Sequence, residues 1–309
     1  MKILVFDIGG TAIKYGICKD GELTYTNEIP TESHNGGLHI LSTVKKVCVQ
    51  TIEEDKKNNP DEPFDGIGVS TAGQVNFETG NITFANSNIP DYKDINYRKE
   101  LESLCGLPVM VENDVNSAAI GEAIFGNGKD FDSFLCLTYG TGIGGAIVIN
   151  NQIYHGDNFS AGEFGSIVTH ADIRLAGSDY FDGCYERYAS TTALVNKASE
   201  YNPNLENGRE IFKHMDDPNV VNIINTWIDE ICIGLITLIH IFNPSCIILG
   251  GGIMNQPYII NTLKEKIYPL IMPTFANVNI TNASLGNNAG MLGIYHLTYE
   301  YCNKTKNPR

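Results

Sequence analysis

The sequence predicts an α/β fold of two similar lobes on either side of a cleft. Short apolar strands alternate with longer stretches of helical spacing along the chain. A strand–DIGGTAIK–strand pattern near residue 7 is echoed by strand–YGTGIGGAI–strand near residue 140, each a Gly/Thr turn joining two strands, with helices following. The 309 residues, 42% of them hydrophobic, exceed what one compact core usually holds.

Residues 2–7, 12–18 and 23–29 read as three consecutive strands. Leu38, Leu41, Val44, Val47 and Cys48 share one face of a helix over 38–52. A strand at 66–70, a hairpin over 73–85 and a strand at 108–112 follow, then a helix over 115–125 whose N-cap is Asp114 or Asn113. The second set has strands at 133–138, 145–149 and 152–154, with Asn150-Asn151 as a tight turn. Residues 156–190 are irregular. Helices dominate from Thr191, and Val220–Phe242 is apolar on several faces, which predicts a buried helix. A strand at 245–249, a helix at 257–269, a strand at 277–281 and a last helix from 288 complete the chain. The lobe boundary is expected near residue 115, giving lobes 1–115 and 116–309, with the last helix (288–309) crossing back to the first.

A net charge of −15 repels phosphate backbones, so nucleic acid is not expected as a partner. No apolar run reaches the ~18 residues of a membrane span, and Met1-Lys2 leads directly into a strand, unlike a signal peptide. The eight cysteines form no CxxC pair. These features predict a cytoplasmic protein with free thiols and no membrane partner.

The chemistry is concentrated in a few places. Gly9, Gly10 and Thr11 in one turn, and Gly140, Thr141, Gly142, Gly144 and Gly145 in the other, offer bare N–H groups and hydroxyls to an oxyanion. Taken together they suit a polyphosphate better than two ordinary hairpins. Asp7, at a strand end, suits Mg²⁺ held through water. Neither turn matches a Rossmann or Walker loop. Glu112-Asn113-Asp114 ends a strand and opens a helix, so Asp114 is a candidate general base, with helix capping as the structural alternative. Asn113 would orient the attacking hydroxyl or its neighbour. Glu163 and Glu186 are candidate acceptors for sugar hydroxyls or plain loop acids. Gly73 lies on a sugar-side wall or in a plain turn. Gly250, Gly251 and Gly252 leave room for a nucleobase or for close helix packing.

These motifs together resemble the ROK family of sugar kinases and repressors, within the actin/hexokinase/Hsp70-like superfamily. The residues that match are DIGGTAIK (7–14), VENDVNSAA (111–119), LTYGTGIGGAI (137–147), GEFG (162–165), GCYERYAS (183–190) and IILGGGI (247–253). The resemblance implies two actin-like (ribonuclease H-like) lobes, ATP with Mg²⁺, and transfer of the γ-phosphoryl to a hydroxyl, usually O6, of a hexose such as glucose, an N-acetylhexosamine such as N-acetylmannosamine, or a β-glucoside. It implies Asp114 as base; Asn113, Glu163 and Glu186 on the sugar; residues 7–14, with Lys14, and 140–145 on the phosphates; and Gly250–Gly252 beside the adenosine. The stretch 156–190 becomes a sugar-site insertion, and a homo-oligomer, a dimer by preference, is expected.

Many members carry a His three residues after the Glu163 position and a CxCGxxGCxE run, which hold a structural zinc. Here those positions read Ser166, Gly177, Asp179 and Cys184, so no zinc is expected. Members without zinc include β-glucoside kinases, which this chain resembles, and a site without the His and the zinc clip is expected to be more open, with room for a second sugar or an aglycone. An inactive sugar sensor is the alternative, but Asp114 and both turns are intact. A repressor needs a DNA-binding domain before the first turn, and a paired-carboxylate hydrolase leaves both turns unexplained.

Overall fold

The strand β1 (Lys2–Ile8) sets the architecture of the first half of the chain. Its residues alternate between two fully buried faces, as the central strand of an α/β sheet requires. Leu4, Phe6 and Ile8 point to one cluster, and Ile3 and Val5 to another. The computed structural model describes residues 1–306 except Ser87, Leu175, Ala176 and Tyr180. Two units emerge, one of residues 1–129, 155–161 and the chain from Asn287, the other of 130–154 and 162–286.

In the first unit β1 continues into β2 (Ala12–Lys19), β3 (Glu22–Pro30), α1 (Gly37–Asn58), β4 (Gly66–Thr71), β5 (Gln74–Asn76), β6 (Asn81–Phe84), α2 (Tyr97–Cys105), β7 (Val109–Asn113) and α3 (Asp114–Phe125). The five-stranded sheet has the order β3-β2-β1-β4-β7, antiparallel as far as β1 and parallel beyond it. One face packs on α1 and α2 through Ile40, Val44, Cys48, Tyr97 and Leu101. Helix α2 is absent from the sequence reading because only Tyr97 and Leu101, one turn apart, are buried in it.

The second unit comprises β8 (Phe134–Tyr139), β9 (Ile143–Ile149), β10 (Gln152–Ile153), α4 (Glu186–Ala189), α5 (Thr191–Tyr201), α6 (Gly208–Lys213), α7 (Pro218–Phe242), β11 (Cys246–Gly250), α8 (Pro257–Ile267) and β12 (Asn279–Asn282). Its sheet order, β10-β9-β8-β11-β12, repeats the first sheet strand for strand and direction for direction. The two Gly/Thr turns therefore occupy the same place in the two sheets. Helix α7 is long and apolar enough to cross a membrane by length and composition. Trp227, Ile231, Leu235 and Leu238 are buried, and Gly234 lies under the Tyr185 ring. Its other face is open, with Ile233 and Ile241 exposed, so the helix expected to be buried is buried on one side.

The last helix, α9 (Ala289–Lys306), returns to the first unit and covers the second face of its sheet with Met291, Ile294 and Tyr295. Gly66 and Gly68 let it approach β4: a Cβ at Gly68 would lie 2.7 Å from Thr298 Oγ1. Helix α3 crosses α9 at Gly121 and Gly293, so α3 belongs with the first unit and that unit runs to Lys129, beyond the boundary expected near 115. Residues 307–309 of the expected last helix lie outside the described residues.

Candidate active site

In the first unit the site grows from the ends of β1, β4 and β7. Asp7 is in phase with Ile3 and Val5, so its side chain faces α9. It pairs in register with Lys14 on β2 and Ser70 on β4, and Ser70 with Glu112 on β7. Cross-strand partners share a face, so Lys14, Asp7, Ser70 and Glu112 form one polar row across the sheet. Ser70 Oγ donates to Asp7 Oδ1 at 2.8 Å. Burial pushes the Asp7 carboxyl above its usual range, against the Ser70 hydrogen bond and the Lys14 charge. Gly290 on α9 closes the space above, where a Cβ would stand 2.8 Å from Asp7 Oδ1.

The turn after β1 is held by its own backbone: Gly9 N–H donates to Ala12 O at 3.0 Å, and Thr31 Oγ1 donates to Gly9 O at 2.7 Å. Gly10 and Thr11 are exposed, and nothing lies within 4 Å of a Cβ placed on Gly10.

Asn113, not Asp114, caps α3. Its Oδ1 accepts from the N–H groups of Val115 (2.9 Å) and Asn116 (3.1 Å), and its Nδ2 donates to Gly73 O (2.9 Å) and Asp114 Oδ1 (3.0 Å). Gly73 has φ 95, and a Cβ there would lie 2.9 Å from Phe84 O, so the hairpin needs glycine at this point. With capping done by its neighbour, Asp114 is left for other work. Burial and the nearby Asp7 charge push its carboxyl up to about 7, against hydrogen bonds from the Val115 N–H, its own N–H and Asn113. A carboxyl poised near neutrality is suited to accept a proton.

The second unit holds a cavity of about 710 Å³. Its lining includes Gly140 and Thr141 of the turn, Gly252 and Ile253, and Thr191, Val195 and Arg209. No atom lies within 4 Å of a Cβ on Gly140 or Gly252, so both leave open backbone at the wall. The other turn glycines serve packing. Gly145 lies under Phe164, Gly250 meets Thr138, and Gly251, at φ 106, presses on Tyr139 O. Gly144 pairs with Thr138 across the hairpin. Gly142 faces Glu186, whose Oε2 would be 2.5 Å from a Cβ there and accepts from Ile143 N–H at 3.3 Å. Glu163 is exposed at the start of the short turn 164–166.

A model of the ROK family matches residues 3–300. The chain belongs to the ROK family. Among curated relatives of this family it is 37% identical to a beta-glucoside kinase of Listeria innocua, over 97% of the chain and 98% of the relative. It is 31% identical to a glucokinase of Streptomyces coelicolor, over 95% and 96%. Among solved structures, a Listeria monocytogenes protein provisionally described as an N-acetylmannosamine kinase shares 35% identity at a TM-score of 0.83, covering 97% of this chain and all of that one. A ROK glucokinase of Streptomyces griseus, in complex with glucose and AMPPNP, shares 28% identity at a TM-score of 0.78, covering 96% and 99%.

The positions at which the resemblance would place zinc ligands are joined here by other bonds. Cys184 Sγ donates to Ser166 O at 3.2 Å and accepts from Arg174 Nη1 at 3.3 Å, while Thr169 and His170 N–H groups share Gly183 O. No group of three or more His, Cys, Asp or Glu placed to hold a metal occurs among the described residues.

Several site features escaped the sequence reading. Ser70 and Gly290 meet Asp7 only once register and the return of α9 are known. Thr191 and Arg209 stand near the starts of two helices capped by Ser190 and Asn207, and those caps were the available signal.

Proposed function

We propose that this chain transfers the γ-phosphoryl group of ATP to O6 of the glucosyl unit of a β-glucoside. ATP-dependent sugar phosphorylation rests on ROK membership along nearly the whole chain and on relatives named as sugar kinases. The choice of acceptor is supported by 37% identity to the Listeria innocua beta-glucoside kinase against 31% to the Streptomyces coelicolor glucokinase, with a Klebsiella pneumoniae beta-glucoside kinase at 30%.

Asp114 takes the proton from the sugar O6 as that oxygen bonds to the γ-phosphorus, and the bond to the bridging β,γ oxygen breaks to release ADP. Asn113 has all four of its side-chain hydrogen bonds filled by the α3 cap, Gly73 O and Asp114, so it acts by holding the Asp114 carboxylate toward the hydroxyl. Glu163 and Glu186 accept hydrogen bonds from the sugar. Gly9, Gly10, Thr11 and Lys14 of the first turn serve the phosphates, as do Gly140 and Thr141 of the second, where backbone is open, while Gly142, Gly144 and Gly145 shape that turn. Gly252 borders the adenosine in the 710 Å³ cavity, and Gly250 and Gly251 set the course of the chain into it by packing on Thr138 and Tyr139. Asp7 would hold Mg²⁺ through water. A buried anion with one oxygen already satisfied by Ser70 fits a hydrated cation, which when bound supplies neutralising charge to the phosphates.

The Arg174–Cys184–Ser166 linkage supports a fold that needs no zinc. Exposed Ile241, Leu270 and Met272 support a homodimer, and eight free cysteines support a cytoplasmic setting.

The test is ADP release with glucose, mannose, N-acetylmannosamine, N-acetylglucosamine, fructose and cellobiose. Cellobiose is expected to give the highest kcat/KM, about tenfold above glucose. Preference for a free monosaccharide removes the β-glucoside assignment, and no ADP release with any sugar removes the kinase.

A further inference from the structure

Residues 155–161 fold with the first unit, although the chain on either side of them belongs to the second. Two side chains pin the segment. His155 Nε2–H donates to the carboxylate Oε2 of Glu112 at 2.7 Å, and Ser160 Oγ donates to Gln74 Oε1 at 2.8 Å. Glu112 and Gln74 are the chain neighbours of Asn113 and Gly73, the pair joined by the 2.9 Å hydrogen bond already described. The segment is thus fastened on both sides of that bond. The His155 ring also stacks on Phe77 at 4.1 Å, and Phe159 meets Phe77 edge-on at 5.6 Å. Phe159 is held at φ 59, a conformation that a bulky residue keeps only where its surroundings over-determine it.

Glu112 is 1% exposed. Its Oε1 accepts from the Asn113 N–H at 2.8 Å and from Asn116 Nδ2 at 3.0 Å, so one carboxylate oxygen holds residues on both sides of Asp114. The other oxygen is held by His155. A buried carboxylate keeps one orientation while its donors are in place and reorients when one is lost.

We propose that His155 is a positioning residue: acting through Glu112, it fixes the Asn113–Asp114 corner in the geometry that proton transfer requires. The proposal rests on Asp114 being the base. In this role His155 touches neither sugar nor nucleotide.

His155→Ala and His155→Gln test it by steady-state kinetics and by hydrogen exchange at the Asn113 and Asn116 amides. The alanine variant is expected to lose about tenfold or more in kcat with KM for ATP within about twofold, the mark of lost positioning rather than lost binding. Exchange at both amides is expected to speed up about tenfold. Glutamine, which donates an N–H to a carboxylate, is expected to restore most of both. A kcat in the alanine variant within about twofold of the parent overturns the proposal, as does a glutamine variant as impaired as alanine. If the parent phosphorylates no sugar, the reading of Asp114 fails by itself. Exchange then decides the clamp, and unchanged rates at Asn113 and Asn116 in His155→Ala overturn it.

Discussion

The two sheets share strand order and direction, yet the rows behind their Gly/Thr turns carry opposite chemistry. With Gly9 and Gly140 taken as equivalent, Asp7 corresponds to Thr138, and the cross-strand partners Lys14 and Ser70 correspond to Gly144 and Gly250. The first row is charged and hydrogen-bonded. The second is nearly bare, and its turn opens on a cavity of about 710 Å³. One scaffold used twice thus supplies charge in one unit and space in the other. A transferring phosphoryl needs its proton acceptor and neutralising charge in fixed positions. A nucleoside needs a concave site with open backbone.

The sharpest way to break this contrast is to remove Asp114, the base proposed for the first unit. Asp114→Asn keeps the shape of the side chain and its contact with Asn113, and it is expected to lower kcat by about 10²–10⁴-fold while sugar still binds. Calorimetric titration with sugar, alongside turnover, separates the two. Near-normal kcat removes Asp114 from the mechanism.

Next in size is a pair of glycine changes in the second unit. Gly251→Ala forces a side chain onto Tyr139 O at φ 106 and is expected to cost roughly 2–4 kcal/mol in denaturant unfolding. Gly252→Ala meets nothing within 4 Å and is expected to stay within about 0.5 kcal/mol of the parent. Equal losses at the two positions would show that the open wall at Gly252 is not real.

The Asp114 carboxyl makes activity and stability move in opposite directions with pH. Because it titrates at about 7, kcat/KM is expected to fall about tenfold per pH unit below that point. A carboxyl whose pKa is raised by folding favours the fold below its unfolded value, roughly 4, and loses that advantage as pH rises through the folded value. Asp114→Asn is therefore expected to be more stable than the parent at pH 8 by ~1–3 kcal/mol, with the gain fading towards pH 4. Thermal melts across that range test it, and a destabilised variant at pH 8 contradicts the burial argument.

The smallest effect belongs to Ser70→Ala. Removing the donor to Asp7 raises that carboxyl further, and Mg²⁺ half-saturation is expected to rise about threefold. No change would detach Asp7 from the metal.

What could be read from the sequence follows from where the information resides. Strands β1 to β3 and helix α1 are legible as elements, and the sequence singles out Asp7 as a strand-end acid before a glycine turn and Asp114 as an acid where a strand gives way to a helix. Which residue caps α3 was not decidable, because Asn113 and Asp114 are both good caps and only the Gly73 carbonyl selects between them. Ser70, Gly290 and the His155–Glu112 pair depend on strand register and on segments that return from far along the chain. No local pattern encodes such meetings. Among the turn glycines, the sequence could not separate Gly10, Gly140 and Gly252, which leave backbone open, from Gly145 and Gly251, which let elements touch.

The division of labour between the units is tested most directly by steady-state kinetics of Asp114→Asn and Gly252→Val side by side, with ATP and sugar each varied. The account predicts that Asp114→Asn loses kcat with KM for ATP nearly unchanged, and that Gly252→Val keeps kcat while KM for ATP rises about tenfold or more. A lost kcat at Gly252→Val with normal KM for ATP, or a raised KM for ATP with intact kcat at Asp114→Asn, contradicts it.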